Sequence, residues 1–367
     1  MFFIKKCLNK LGIVHNRDMK FFKLLLLTTC FLCVCACSSK VDLAFERKLE
    51  RKIGVILPLS NSRVATDIAD GIALALAEFN SSHKQSDKFE FYFEDINAKN
   101  PPLKAVSNLS EKGVRVFCVG FDKEIIKVHK LFSGMSGAFF NFMMNYPPAT
   151  VQGTNSTRMF FNIAQEADML AECALKKDGE KTFVILSEDS SAGKSAGDFL
   201  NFSISASDRK VFRDFFTKGE TRFDIFASQI ITQKPRAIFY IGDGYEFPYL
   251  EKSLKQNGYK GLLYRNRGMD LSVRPSPHSK CSISLFEKCL SFSEKFKQTF
   301  FHKFSRKPSV FAAWGYDSAN LLITAMISSD FQVSKMRDQF CNVQKQGVVG
   351  NLKFDSSADC TVDLILE

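Results

Sequence analysis

One repeated unit narrows what this chain can fold into more than any other feature. From residue 53 onward, apolar runs of four to six residues alternate with amphipathic stretches of helical period. Strands are expected at 53–57, 89–93, 114–119 and 138–143, with helices between them at 66–79, 103–112 and 123–132. In the first helix Ile68, Ile72, Leu76 and Phe79 share one face. Short buried runs separated by helices belong to a parallel sheet covered on both sides. Residues 145–157, rich in Pro, Gly, Thr and Asn, break this rhythm and mark a crossover or hinge. The rhythm then resumes, with helices expected at 165–177, 194–201, 223–233 and 248–256 and strands at 182–186, 211–216, 237–241 and 261–264. The expected fold class is therefore α/β, with two doubly wound parallel-sheet lobes and a ligand cleft between them.

Past residue 267 the chain is expected to cross back. Helices at 286–304 and 316–326 would return to the first lobe. A helix near 334–341 and strands at 350–354 and 361–366 would finish the second. Lobe one is thus expected at 52–146 plus about 271–328, and lobe two at 147–270 plus about 329–367.

The first 40 residues address a different question, where the chain resides. Met19-Lys-Phe-Phe-Lys23 leads into an uncharged run from Leu24 to Ala36. A short basic region before about a dozen apolar residues reads as a secretory signal, too short for a stable bilayer span. Asp18 interrupts the basic region, so Met19 is the expected start. The run closes with Val34-Cys35-Ala36-Cys37 and then Ser38-Ser39, which resembles the lipobox of bacterial lipoproteins. That resemblance implies a signal peptide over 1–36, lipidation of Cys37, a tether over 37–51, and a place in the cell envelope facing the periplasm. An ordinary cysteine-rich signal peptide is the alternative.

Charge and cysteine usage exclude several classes. Lys5, Lys6, Lys10, Arg17, Lys20 and Lys23 against Asp18 give residues 1–36 a net +5, leaving +6 of the total +11 for the rest. Part of that excess sits in the tether. Nothing interleaves basic clusters with aromatics as a nucleic-acid groove requires, so no nucleic-acid partner is expected. Of the 11 cysteines, six follow the tether: Cys118, Cys173, Cys281, Cys289, Cys341 and Cys360. An even number in an exported chain permits disulfides, and proximity suggests Cys281–Cys289 and Cys341–Cys360. Cys118 and Cys173 read as buried thiols. No Cys/His cluster has ligand spacing, so no metal and no cofactor are expected.

Enzyme readings fail on context. Gly193-Lys-Ser195-Ala-Gly197 matches a hydrolase nucleophile elbow, but that elbow needs its Ser on a turn directly after a strand. The phosphate-loop reading of the same stretch would place its first Gly at position 188, which is Glu. No catalytic residue is expected.

A resemblance covers nearly the whole exported part. Lys52-Ile-Gly-Val-Ile-Leu-Pro-Leu-Ser60, Asp70-Gly71, Phe93-Glu-Asp95 with Asn100-Pro101, and Val184-Ile-Leu-Ser-Glu-Asp189 come in order. Thr221-Arg-Phe-Asp224 with Lys234-Pro235, Tyr316-Asp317 and Gly347-Val-Val-Gly-Asn-Leu-Lys-Phe-Asp355 follow. Together they resemble the leucine/isoleucine/valine-binding protein family, which implies the type 1 periplasmic-binding fold. It also implies a receptor for a small polar, amino-acid- or amide-like ligand of an ABC importer, with a permease as partner. The same residues are similar to lipoprotein activators of penicillin-binding proteins, which act by contact with a peptidoglycan synthase.

In a doubly wound sheet ligands bind beyond the carboxyl ends of the strands. On the loops there stand Ser60, Ser62, Arg63, Asp122, Glu124, Asn145, Tyr146, Glu166, Tyr245 and Arg267. The resemblance places hydroxyls for a ligand carboxylate where Glu124 and Tyr146 stand, and an acid for the amino group where Arg265-Asn266-Arg267-Gly268 stands. With these charges exchanged, Glu124 would hold a cationic group and Arg267 an anionic one. Alternatively, both are solvated loop residues or pair with each other.

Overall fold

The computed structural model describes residues 48–120, 124–144, 154–160, 162–176, 182–205, 209–242, 244–266, 279–284 and 293–366. Residues 48–367 form one compact unit. The first sheet holds β1 (Lys52–Leu57), β2 (Glu90–Asp95), β3 (Val116–Val119), β4 (Phe139–Phe142) and β5 (Ser156–Arg158). Its order is β2-β1-β3-β4-β5, parallel throughout. The connecting helices are α1 (Arg63–Ser81), α2 (Pro102–Glu111) and α3 (Glu124–Ser136).

Alternate strand residues feed two cores. Ile53, Val55 and Leu57 face α1, whereas Ile56, Phe117 and Val119 join Leu109, Ile125 and Val128 from α2 and α3. Burying each such side chain contributes roughly 1.5–3 kcal/mol. A surface ion pair such as Lys48–Asp330 contributes far less, so packing sets this architecture.

The second sheet contains β6 (Thr182–Glu188), β7 (Lys210–Phe216), β8 (Ala237–Ile241), β9 (Leu262–Arg265), β10 (Ser279–Ser284) and β14 (Leu364–Leu366). Its order is β14-β10-β9-β8-β6-β7, parallel except for the antiparallel edge strand β14. The helices α4 (Ile163–Leu175) and α5 (Ser191–Ser205) cover one face. On the other lie α6 (Asp224–Thr232) and α7 (Phe247–Gln256).

Returning segments complete the first lobe: α8 (Glu294–Phe304), α9 (Val310–Ser328) and α10 (Val333–Met336), then an antiparallel sheet of β11 (Gln344–Gly347), β12 (Gly350–Phe354) and β13 (Cys360–Thr361). The helix α9 is long and apolar enough to cross a membrane, but it is mostly buried in the first lobe's core. It crosses α1 at contact distance. A Cβ on Gly71 would lie 1.9 Å from the Ala312 carbonyl oxygen, and one on Gly315 would lie 2.1 Å from that of Ile68. Both positions therefore require glycine. The start of the unit is also pinned here. The Leu49 N–H donates to the Phe331 carbonyl at 2.7 Å, and the Arg51 guanidinium lies 4.5 Å from the Phe331 ring centroid.

The lobe boundaries differ from expectation in three places. Residues 156–158, expected in lobe two, pair with β4 of the first sheet. Residues 279–284, expected in lobe one, pair with β9 of the second. Most of the 329–367 tail packs into the first core through Val333, Met336, Phe340, Leu352 and Phe354, and β14 alone of the tail strands joins the second sheet. The strands Ser-Thr-Arg and Ser-Lys-Cys-Ser-Ile-Ser are too polar to show an apolar period.

Two described crossings join the lobes, β5 to α4 and β13 to β14, and they are tied together. Buried Arg158 donates to Asp359 at 3.2 Å, and the Thr157 hydroxyl donates to the Ala358 carbonyl at 2.8 Å. The Gln165 side-chain amide donates to the Val362 carbonyl. Asn162 caps α4 by accepting from the Gln165 N–H at 2.9 Å, and its amide also reaches Asp359 at 3.5 Å. Desolvation pushes the Arg158 guanidinium below its usual value, and Asp359 opposes that shift.

Cys341 and Cys360 are free thiols, which corrects the expected bond between them. Cys360 is buried on β13 with its sulfur directed to the Thr361 carbonyl, and Cys341 is half-buried after α10. Cys281 is buried on β10, while Cys289 lies outside the described residues, as does Cys37.

Candidate functional site

At the first lobe's strand tips the chain turns from β1 into α1 through residues 58–62. Ser62 ends this turn as the N-cap of α1: its backbone is extended and its Oγ accepts from the Ala65 N–H at 3.2 Å. Ser60 is exposed, and its N–H donates to Asp95 Oδ1 at 3.1 Å while its hydroxyl bonds the other carboxylate oxygen. This pairing follows from register, since Leu57 and Asp95 are partners at the ends of adjacent strands. The Ser60 hydroxyl bond, with the Ser60 and Asn97 donors beside it, holds the Asp95 carboxyl below its usual range. Asp95 thus stiffens the turn that presents Ser60. Arg63 follows on the surface, its side chain 81% exposed and 3.8 Å from Asp67.

Glu124 is exposed at the head of α3 and is paired with Lys127 at 2.8 Å. Its carboxylate thus has a cation one turn along its own helix. Asp122, Asn145, Tyr146 and Arg267 lie outside the described residues.

The second lobe's strand tips are more enclosed. Glu188 ends β6 and is buried; Arg265 ends β9, fully buried, with its guanidinium 5.1 Å from the Phe247 ring centroid. Between them β8 leads into residues 242–246. Tyr245 is 56% exposed there, and its neighbour Glu246 is buried. Glu246 accepts from the Gly219 N–H at 2.8 Å and from the Tyr240 hydroxyl at 2.9 Å, so it braces the loops after β7 and β8. Burial, with Glu246 and Glu188 nearby, pushes the Tyr240 phenol far above its usual value. Asn266 completes the brace by accepting from the Gly242 N–H at 2.9 Å. Glu166, expected on a loop, instead sits buried in the first turn of α4.

Ser60, Ser62 and Arg63 therefore share one turn of lobe one, and Tyr245 stands on the corresponding rim of lobe two. Asp95, Glu188, Glu246, Arg265 and Asn266 were missed. Asp95, Glu188 and Arg265 close their strands, Asn266 follows one directly and Glu246 lies five residues beyond β8, so strand-end position was the available signal for all but Glu246. Gly193, Ser195 and Gly197 lie inside α5 rather than on a strand-to-helix elbow. The second lobe thus carries two buried carboxylates and one buried guanidinium at or just beyond the carboxyl ends of its strands.

Comparison with known proteins agrees with this fold. A family profile described as periplasmic binding protein matches residues 50–361. Among solved structures, a leucine-binding protein from Thermotoga maritima superposes with a TM-score of 0.70 at 19% identity, covering 86% of this chain and 94% of that one. An ABC transporter substrate-binding protein from Desulfitobacterium hafniense, in complex with Leu, gives 0.69 at 20%, covering 86% and 96%. A solute-binding protein from Rhodopseudomonas palustris, in complex with 3,4-dihydroxybenzoic acid, gives 0.69 at 17%, covering 86% and 93%. A search of curated protein sequences returned no match.

Proposed function

Because the chain belongs to the periplasmic binding protein family, we propose that it is a lipid-anchored receptor delivering a small polar solute to an ABC importer. The observation that carries this reading is the contrast at the strand tips. Lobe one offers an exposed, stiffened turn at Ser60–Arg63, and lobe two a pre-organised set of buried charges, Glu188, Glu246 and Arg265. All three stand at or just beyond the carboxyl ends of their strands, where a doubly wound sheet meets its ligand. The acids suit an ammonium or amide N–H donor, and Arg265 suits a carboxylate. Tyr245 covers the ligand when the lobes close. An amino-acid- or amide-like solute has these groups. Cys37 carries the acyl anchor.

Native mass spectrometry of the purified protein tests the reading, followed by thermal shift with amino acids, their amides and aromatic acids. A carried small molecule, or a melting temperature raised by several degrees by one class, is expected. A protein that carries nothing and shifts with none of them would favour the regulatory reading, in which the lobes contact a peptidoglycan synthase. Radiolabelled palmitate retained by the wild type and lost in Cys37→Ser checks the anchor.

A further inference from the structure

The second sheet ends on one side at β7, and among the described residues no strand lies beyond it. On the inner side the Phe216 carbonyl accepts from the Asp189 N–H at 2.7 Å. Backbone groups point to alternate sides along a strand. Lys210, Phe212, Asp214 and Phe216 therefore bond inward to β6, while Val211, Arg213 and Phe215 turn their N–H and C=O outward. Arg213 is exposed although its side chain, paired with Asp198 on α5 at 2.6 Å, is only 27% exposed, so its backbone meets solvent. The outward run has a stop. The Asp214 carboxylate accepts from the Phe215 N–H at 2.8 Å, which leaves Val211 and Arg213 as the residues with both groups open.

The edges of the two sheets differ in charge. β2, at the edge of the first, carries Glu90, Glu94 and Asp95 and no cation. Laid antiparallel on its own copy about Tyr92, it would set Glu90 opposite Glu94, and like charges directly opposite destabilise a strand pair. β7 instead carries Lys210 and Asp214 on one face, with Phe212 between them. The Lys210 ammonium lies 4.5 Å from the Phe212 ring centroid. Among the described residues neither Lys210 nor Asp214 has an ion-pair partner.

We infer that β7 is a self-pairing edge, which docks antiparallel on β7 of a second copy of this chain. A two-fold axis perpendicular to the sheet keeps each face continuous, so residues that stand opposite each other share a face. Centred on Phe212, the pairing sets each Lys210 opposite an Asp214 and lets each Val211 exchange both N–H···O bonds with an Arg213. Centred on Arg213, it brings two guanidinium groups together and needs the Phe215 N–H that Asp214 holds. Centred on Asp214, it opposes two carboxylates. Charge and hydrogen bonding therefore select the same register. A lysine on an edge strand ordinarily keeps other strands away; the acid four residues on admits one partner, the same strand inverted. Phe202, 76% exposed, stands one turn along α5 from Asp198 and adds apolar surface beside this edge.

The full chain, held in detergent at micromolar concentration, tests this by native mass spectrometry. The wild type is expected as a dimer. Lys210→Asp and Asp214→Lys each set like charges opposite one another in both halves of the interface and should weaken the dimer at least about tenfold, leaving monomer. Mixed in equal amounts, the two variants should form the heterodimer, because each offers the charge that the other lacks. The doubly exchanged variant Lys210→Asp/Asp214→Lys should dimerise by itself for the same reason. Either recovery also shows that the substituted chains are folded. A monomeric wild type, or a single variant that dimerises as the wild type does, would overturn the inference. So would a mixture and a double variant that both stay monomeric.

Discussion

The two lobes reach similar sheets by different routes through the chain. The second is nearly one continuous run, from α4 to β9, with β10 and β14 added at its edge. The first is assembled from distant pieces: its core joins Ile53 and Val55 on β1 to Trp314 and Leu322 on α9 and to Phe340 and Phe354 beyond. Closing such long loops costs entropy before the contacts form. Lobe one therefore depends on a small number of tight long-range junctions, above all the α1–α9 crossing. Lobe two relies on many contacts between near neighbours.

The sharpest way to break this comparison is to spoil the crossing. Gly315→Val puts side-chain atoms where the Ile68 carbonyl stands and should cost more than about 4 kcal/mol. Calorimetry should then show the first lobe melting early and the second retained. A single transition moved as a whole would mean that the lobes share their stability. Next in size is the stitch between the crossings. Asp359→Asn removes the ion-pair partner of buried Arg158 and should cost about 3 kcal/mol in urea denaturation.

Acid titration sharpens the picture within lobe one. Asp317 on α9 accepts from the Val348 and Val349 N–H groups at 2.8 Å each, and burial pushes its carboxyl up to about 6. A raised carboxyl favours the protonated fold, so this contribution falls as pH rises from about 4 to about 6. Burial lowers His129 on α3 to about 4. A depressed imidazole favours the neutral fold, and its contribution is lost as pH falls from 6.5 toward 4. The two slopes oppose each other, and the wild type should vary little across this window. Asp317→Asn should expose loss of stability toward acid, and His129→Gln the reverse, by about 2 kcal/mol across the range. The smallest effect is expected at Lys127→Ala, which breaks the exposed pair with Glu124 and should change stability by under about 0.5 kcal/mol.

The parts legible in the sequence were those where period and burial coincide. β8 was read to the residue, and β1 and β6 nearly so, because each is an apolar run with a helix behind it. β5 and β10 were invisible because Ser156–Arg158 and Ser279–Ser284 carry few apolar side chains. Most of the tail belongs to lobe one rather than lobe two because its apolar residues, Phe340 and Phe354 among them, show that they are buried but not against what, while its last strand does join the second sheet. The site divided along the same line. Ser60, Ser62 and Tyr245 follow from strand-tip position, whereas the roles of Asp95 and Glu246 exist only through partners on other strands. Glu124 shows an exposed ion pair with Lys127, three residues on, which the strand-tip position did not indicate.

The anchoring of the first residues of the folded unit has a mechanical consequence. Leu49 and Arg51 grip Phe331, and the chain runs straight on into β1, which lies between β2 and β3. A tug from the upstream end thus loads an interior strand lengthwise and stresses both of its ladders in shear rather than peeling them open one bond at a time. The fold thus meets a pull at this end with the bonds of both ladders at once.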